Sequence, residues 1–154
     1  MKTRIKITEF GYYDIANLIA AAMYDNYLFS VSYDKNYYMA HYYNKDENLE
    51  EVCATMLTNG HSIYVNNLGV KADENYAYEK IVSYYDEDKK AMVYEISAKD
   101  ITDGLERAFN GECVCSDGER SLLMECVFNL LNNTIDAPQA EMLIQVILFN
   151  EIIY

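Results

Sequence analysis

Two cysteines separated by one residue, Cys113 and Cys115, are the side chains in this sequence best suited to holding a metal ion. Thiolates bind Zn²⁺, and this pair could share one ion if Cys126 and either Cys53 or His61 approached it in the fold. Structural zinc sites favour cysteine pairs with wider spacing that occur twice, whereas this chain has one closely spaced pair. The sequence therefore favours reduced thiols without a bound metal or other cofactor.

Motifs of the familiar enzyme classes are missing from the sequence. The chain has no glycine-rich phosphate loop, no His-Glu-x-x-His motif, no Gly-x-Ser-x-Gly turn and no calcium loop of alternating acids. Neither His41 nor His61 has a visible partner for general-base chemistry, and His61 directly follows a predicted helix cap. We therefore expect a protein that is not an enzyme.

Acidic residues are in large excess, with 25 acids against 12 bases and a net charge of −13. Direct binding of DNA or RNA is disfavoured, because phosphate contacts need lysine and arginine. Asp100, Asp103 and Glu106 recur at three-residue spacing and predict a row of like charges on one helix face. Such a row is commonly a solvated surface. The functional alternative is an acidic face that imitates nucleic-acid phosphates and binds a basic host protein.

The length and composition indicate a single domain spanning residues 1–154. About half of the residues are hydrophobic, and one proline and six glycines leave no room for a flexible linker. No long apolar stretch follows the charged residues 1–6, as a secretory signal would require. The longest apolar runs are also far shorter than the roughly 18 to 20 residues that cross a bilayer. We therefore expect a cytoplasmic protein without membrane contact.

Apolar residues at three- and four-residue spacing predict five helices. They are residues 13–23, a helix that opens at 46–49 and ends before 60, residues 98–109, 119–131 and 137–149. Ser97 with Asp100 resembles a capping box, and Asp136 with Pro138 should start the last helix. That helix is apolar on most sides, which predicts a central position in the core, and Asn150 should end it in a left-handed conformation.

Runs of β-branched and aromatic residues predict the strands. They are residues 4–8, 27–32, 61–65, 80–85, 91–96 and 151–154. The charged loop 86–90 should connect two of them as a hairpin. We therefore expect an α+β domain in which helices pack on one face of a mostly antiparallel sheet of four or five strands, with a central C-terminal helix.

Four segments occur in an order that resembles a known family. They read DIANLIAAAM, LTNGHSIYV, VYEISAKDITDGLERAF and IDAPQAEMLIQVILFNEIIY. In this order the chain is similar to a family of small acidic proteins of unknown function, encoded by phages and integrated mobile elements of Gram-positive bacteria. It has Asp25-Asn26 and Tyr27-Leu28 where that family has Gly-Gly and Tyr-Trp. The resemblance implies a mobile-element origin and an α+β fold.

These observations predict a non-enzymatic accessory protein of a phage or mobile element that acts through protein–protein binding. Its acidic face, with Asp100, Asp103 and Glu106, would bind and inhibit a basic host defence or DNA-handling protein. The alternative is a small-ligand or metal-binding protein that uses the cysteine-bearing loop around Cys113 and Cys115.

Overall fold

A computed structural model describes residues 4–23, 28–68, 77–79 and 81–153 of the chain. Within these residues, the chain forms six helices and four strands. They are α1 Tyr12–Met23, β1 Phe29–Ser32, α2 Lys35–His41, α3 Leu49–Thr58, β2 Ile63–Asn67, β3 Val82–Asp86, β4 Ala91–Ile96, α4 Ala98–Asn110, α5 Asp117–Leu131 and α6 Ala137–Phe149. The predicted α+β class is confirmed. None of the helices in the described part of the chain is long and apolar enough to cross a membrane.

The four strands form one antiparallel sheet in the order β1-β2-β4-β3. The predicted hairpin is present, with Val82 opposite Glu95 and Asp86 opposite Ala91. Residue 80, at its predicted start, lies outside the described residues. The sheet face that carries Phe29 and Tyr94 belongs to the same hydrophobic core as the helices. The helices therefore pack on one face of the sheet, as the sequence predicted.

Helix boundaries follow from side-chain caps. Ser97 and Asp136 each accept a hydrogen bond from the backbone of the residue three positions later, as predicted. Helix α5 begins two residues before the predicted start because Ser116 supplies its N-cap. Helix α2 was not predicted, since it is only seven residues long and its cap, Asp34, lies directly after β1. Short helices carry too few turns for a clear apolar period.

Helix α6 forms the centre of the core. It packs against α1, α4 and α5, and its buried residues are Ala140, Leu143, Ile144, Gln145, Val146, Ile147, Leu148 and Phe149. Asn150 ends the helix in the left-handed conformation, with φ of 61°. Where α6 crosses α4, Gly104 lies directly against Ile147, so the two backbones approach closely. The predicted central position and the predicted end of this helix are both confirmed.

The predicted strand at residues 4–8 is wrong, because this segment pairs with side chains of α4 and not with another strand. The backbone N–H of Ile5 donates to Asn110 Oδ1 at 2.9 Å, and Asn110 Nδ2 donates back to the carbonyl of Ile5 at 2.8 Å. The backbone N–H of Ile7 donates to Glu106 Oε1 at 3.2 Å. The extended segment is therefore held on α4 by an amide and a carboxylate.

The predicted final strand is reduced to one isolated bridge. Glu151 forms a parallel bridge with Val114, whose N–H donates to the carbonyl of Asn150 at 2.8 Å. The next contact is again with a side chain, since the N–H of Ile153 donates to Gln145 Oε1 at 2.8 Å. Residue 154 lies outside the described residues. The segment after α6 is thus anchored to the cysteine-bearing loop and to α6 itself.

One carboxylate connects three helices. Glu47, just before α3, accepts hydrogen bonds from Tyr12 Oη at 2.7 Å, Tyr38 Oη at 2.5 Å and Thr55 Oγ1 at 2.5 Å. These donors come from α1, α2 and α3 respectively. Partial burial raises the pKa of Glu47, but the three hydroxyl donors lower it more, so its pKa lies below the ordinary value. The ionised carboxylate therefore stabilises the packing of α1, α2 and α3.

Candidate functional site

The three residues of the predicted acidic row occupy different environments on α4. Asp100 is half-buried, and its carboxylate accepts hydrogen bonds from the N–H of Ser97 at 2.9 Å and from the Ser97 hydroxyl at 3.1 Å. Asp103 is exposed to solvent. Asp100 therefore caps the helix, and Asp103 is the member of the row whose charge is fully available to a partner.

Glu106, the third member, does not lie on an exposed face. Its exposed fraction is 8%, and it accepts hydrogen bonds from Arg4 Nη1 at 3.0 Å and from the N–H of Ile7. Arg4 also contacts Glu112, with 2.7 Å between Nε and Oε1. The expectation of a continuous acidic face through Asp100, Asp103 and Glu106 is thus corrected for Glu106. Reversing its charge would disrupt the N-terminal segment.

A cleft of about 650 Å³ lies on the side of α4 that carries Asp100 and Asp103. Its lining comes from the N-terminal segment, the residues before β3, α4 and the cysteine-bearing loop, and consists of Arg4, Tyr78, Glu79, Ile81, Lys99, Asp100, Asp103, Arg107 and Glu112. The volume is typical of small-molecule sites. The structure therefore gathers two of the three predicted acidic residues around a concave site that also contains cations.

Arg107 is a buried cation in the lining of this cleft. Only 7% of its surface is exposed, and Nη1 donates to the carbonyl of Val146 at 3.1 Å and to the side-chain oxygen of Asn150. The ring of Tyr78 covers the guanidinium at 3.7 Å from its centre. Nε is buried and has no hydrogen-bond partner among the described residues. Neutral groups therefore hold the guanidinium in place: two oxygens accept hydrogen bonds from Nη1, and the Tyr78 ring covers one face.

No carboxylate of the described residues forms an ion pair with Arg107, although Asp103 and Glu79 influence it from a greater distance. Burial lowers the pKa of Arg107, while nearby Tyr78 and Cys113 raise it, and the net direction is downward. A buried charge without a partner costs several kcal/mol, and it is rare in folded proteins. Arg107 is therefore a buried cation without a direct counter-ion among the described residues.

The cysteines do not come together as a four-thiol site. Cys53 on α3 and Cys126 on α5 are buried in the core, and burial raises their pKa values to about 12 and about 11. Burial, together with a hydrogen bond to Cys115, raises the pKa of Cys113 to about 11. No group of three or more His, Cys, Asp or Glu in the described parts of the chain is placed to hold a metal ion. The thiols of Cys53, Cys113 and Cys126 are therefore protonated at neutral pH.

We expect four reactive thiols per chain and no stoichiometric zinc. All four cysteines are free in the structure. The measurement is a thiol titration of the protein unfolded without prior reduction, together with elemental analysis of the folded protein. A pre-reduced sample serves as the control and should give the same thiol count. One zinc per chain would contradict this expectation and favour metal binding by the cysteine-bearing loop.

The two histidines lie in one aromatic cluster away from this cleft. Tyr37 stacks on His41 with ring centres 4.1 Å apart, and it contacts His61 at 4.4 Å. His61 Nε2 lies 3.1 Å from the hydroxyl of Tyr42. The sequence analysis accounted for His61 by its position after a helix cap. In the structure, the contacts of His61 with Tyr37 and Tyr42 also hold α2 against the start of β2.

The exposed side of α5 carries an apolar stripe that sequence analysis did not single out. Met124, Phe128 and Leu131 follow each other at helical spacing, and their exposed fractions are 38%, 62% and 40%. Two exposed acids, Asp117 and Glu125, lie on the same side of the helix. We call these five residues the α5 face. This face can be recognised in the sequence because α5 has more apolar residues than its buried side needs. The buried side is already formed by Leu123, Cys126, Val127 and Leu130.

No protein family, curated protein or solved structure matches this chain.

Proposed function

We propose that this protein is a non-enzymatic accessory protein of a phage or mobile element, and that it acts by binding a basic host protein through the α5 face. The resemblance of its four ordered sequence segments to mobile-element proteins supports the origin. The observation that carries the binding proposal is the apolar stripe of Met124, Phe128 and Leu131 beside the exposed acids Asp117 and Glu125.

The apolar part of the face supplies the area that a stable contact needs. Single exposed apolar residues are normal on protein surfaces, but contiguous ones rimmed by polar groups are typical of interaction sites. Phe128 is the most exposed phenylalanine of the core-forming helices, at 62%. Aromatic residues at the centre of an interface contribute a large share of the binding energy. We therefore assign Phe128 as the anchor.

The charged part of the face selects a basic partner. Asp117 and Glu125 are exposed, and residues 101–154 contain nine acids and two bases. Opposite charges on the two surfaces accelerate association and exclude acidic proteins. Asp103 extends the exposed negative charge to α4. Inhibition of a DNA-handling protein would follow if the bound basic surface is the one that contacts DNA.

Replacing Phe128 with serine should abolish retention of the partner, whereas replacing Val82 should not. Val82 lies on β3 and is exposed at 56%, so Val82→Ser is a matched control for loss of an exposed apolar side chain. The measurement is capture from nuclease-treated lysate of a Gram-positive host at low salt, followed by a salt gradient. Asp117→Lys with Glu125→Lys should shift elution to lower salt, because charge contacts weaken as the Debye length falls from roughly 10 Å at 0.1 M to 3 Å at 1 M.

Only a basic protein whose retention depends on Phe128 supports the proposal. A protein that binds parent and Phe128→Ser equally is retained for another reason. If no basic protein shows this dependence, the α5 face is not a docking surface and the proposed function is wrong. Phe128→Ser and Val82→Ser should keep the parental melting temperature, since surface substitutions seldom change stability by more than about 0.5 kcal/mol. Asp117→Lys removes an acid from the first turn of α5 and should lower the melting temperature slightly.

A further inference from the structure

We propose that the cleft beside α4 binds the carboxylate of a small zwitterionic molecule, and that Arg107 is the residue that holds it. This inference uses a different surface from the α5 face and does not depend on the proposed function. It starts from the position of a buried guanidinium in the lining of a cleft large enough for a small molecule.

The unpaired donor of the guanidinium determines the chemistry. Nη1 is occupied by the carbonyl of Val146 and the side-chain oxygen of Asn150. Nε has no acceptor among the described residues, and Nη2 forms no hydrogen bond with them. Nε is closed off from solvent, so Nη2 is the donor that is neither hydrogen-bonded nor buried. A carboxylate oxygen that accepts from Nη2 would satisfy this donor and neutralise the buried charge.

The guanidinium is fixed in place before any ligand arrives. Tyr78 covers one face at 3.7 Å, and the N–H of Tyr78 donates to the carbonyl of Leu148 at 2.6 Å. Asn150, which holds Nη1, is itself fixed as the left-handed cap of α6. The side chain therefore loses little freedom on binding, and preorganisation of this kind favours affinity.

The remaining charges of the cleft define the class of ligand. Arg4 and Glu112 pair with each other. Of the other charged residues that line the cleft in the described part of the chain, Lys99 and Arg107 are cations, and Glu79, Asp100 and Asp103 are anions. A dianion such as phosphate would be repelled by three carboxylates. A ligand with one carboxylate and one amine fits this distribution, with its amine near the exposed Glu79 and Asp103.

The test is an NMR titration of the full chain with three probes: 6-aminohexanoate, acetate and inorganic phosphate. We expect a saturable shift of the Arg107 Nε–H resonance and of the α4 amides with 6-aminohexanoate, at millimolar concentration or below. Acetate should bind more weakly and phosphate weakest. Equal binding of acetate would overturn the assignment of an amine subsite. Tightest binding of phosphate, or no saturable shift of Arg107 with any probe, would overturn the proposal.

A substitution of Asn150 tests the role of Arg107 without removing it. Asn150→Asp places a carboxylate beside Nη1, gives Arg107 an internal counter-ion and keeps a residue type that tolerates the left-handed conformation. We expect it to weaken 6-aminohexanoate binding at least about tenfold and to raise the melting temperature. Asn133→Asp is the matched control and should retain binding, because it adds the same charge at a left-handed position that does not line this cleft. Undiminished binding by Asn150→Asp would overturn the assignment of Arg107.

Discussion

Gly104→Ala should destabilise the protein by about 1–3 kcal/mol, the largest loss that we expect from adding one methyl group. A Cβ at position 104 would lie 2.5 Å from Cγ1 of Ile147 and 2.8 Å from its Cα. The side chain could rotate, but the Cα belongs to α6, which is packed between α1, α4 and α5. Helices α4 and α6 must therefore separate. Urea unfolding followed by circular dichroism measures the loss.

Gly118→Ala is the matched control for this substitution. Gly118 also lies in a helix, and no atom is within 4 Å of the position that its Cβ would occupy. We expect a gain of about 0.5–1 kcal/mol, because alanine lowers the entropy of the unfolded chain. Combining Ile147→Ala with Gly104→Ala should cost less than the sum of the two single substitutions, since the loss of Cγ1 removes one clash while the contact with the Cα remains. Parental stability of Gly104→Ala would contradict the close crossing of α4 and α6.

Glu47→Gln should cost about 2 kcal/mol at neutral pH, because charge-assisted hydrogen bonds are the stronger ones. An amide has one oxygen to accept the bonds that two carboxylate oxygens accept from Tyr12, Tyr38 and Thr55. Its NH₂ group must then face a hydroxyl. Glu87→Gln, in the exposed loop of the hairpin, is the matched control and should leave stability unchanged.

The cost of Glu47→Gln should depend on pH in a defined direction. The pKa of Glu47 in the folded protein lies below the ordinary value of 4.5. The contribution of this carboxylate is therefore complete above that value and is lost as the pH falls through the folded pKa. The stability difference between parent and Glu47→Gln should be constant near neutral pH and should narrow below about pH 4.5. A difference that widens on acidification would contradict the assigned hydrogen bonds.

Local signals made much of the fold predictable. The cap at Ser97, the hairpin loop and the apolar length of α6 are each contained within a few neighbouring residues. The strand predicted at residues 4–8 shows the limit of such signals. Alternation of polar and apolar residues indicates that one face of a segment is buried. It does not show that the backbone of this segment bonds to the side chains of Asn110 and Glu106 and not to another strand. The sequence separation of these contacts is about one hundred residues.

The candidate site was less predictable, for a related reason. Because a helix has 3.6 residues per turn, residues spaced three apart do not point in the same direction. Glu106, six residues after Asp100, therefore points toward the protein interior. Its burial depends on Arg4, 102 residues away. No pattern in the sequence indicates a functional role for Arg107, because its contacts with Tyr78, Val146 and Asn150 exist only after α6 has packed on α4. Only Asp103 could be placed correctly from charge spacing.

The position of α6 in the chain has a consequence for synthesis on the ribosome. Helices α1, α4 and α5 leave the exit tunnel before α6, yet each buries part of its apolar face against it. Until residues 137–149 emerge, these faces have no native partner, and a nascent chain in this state is a substrate for chaperones and proteases. Cooperative collapse can follow only when α6 arrives. A ribosome pause between α5 and α6 would therefore prolong the period in which the nascent chain aggregates.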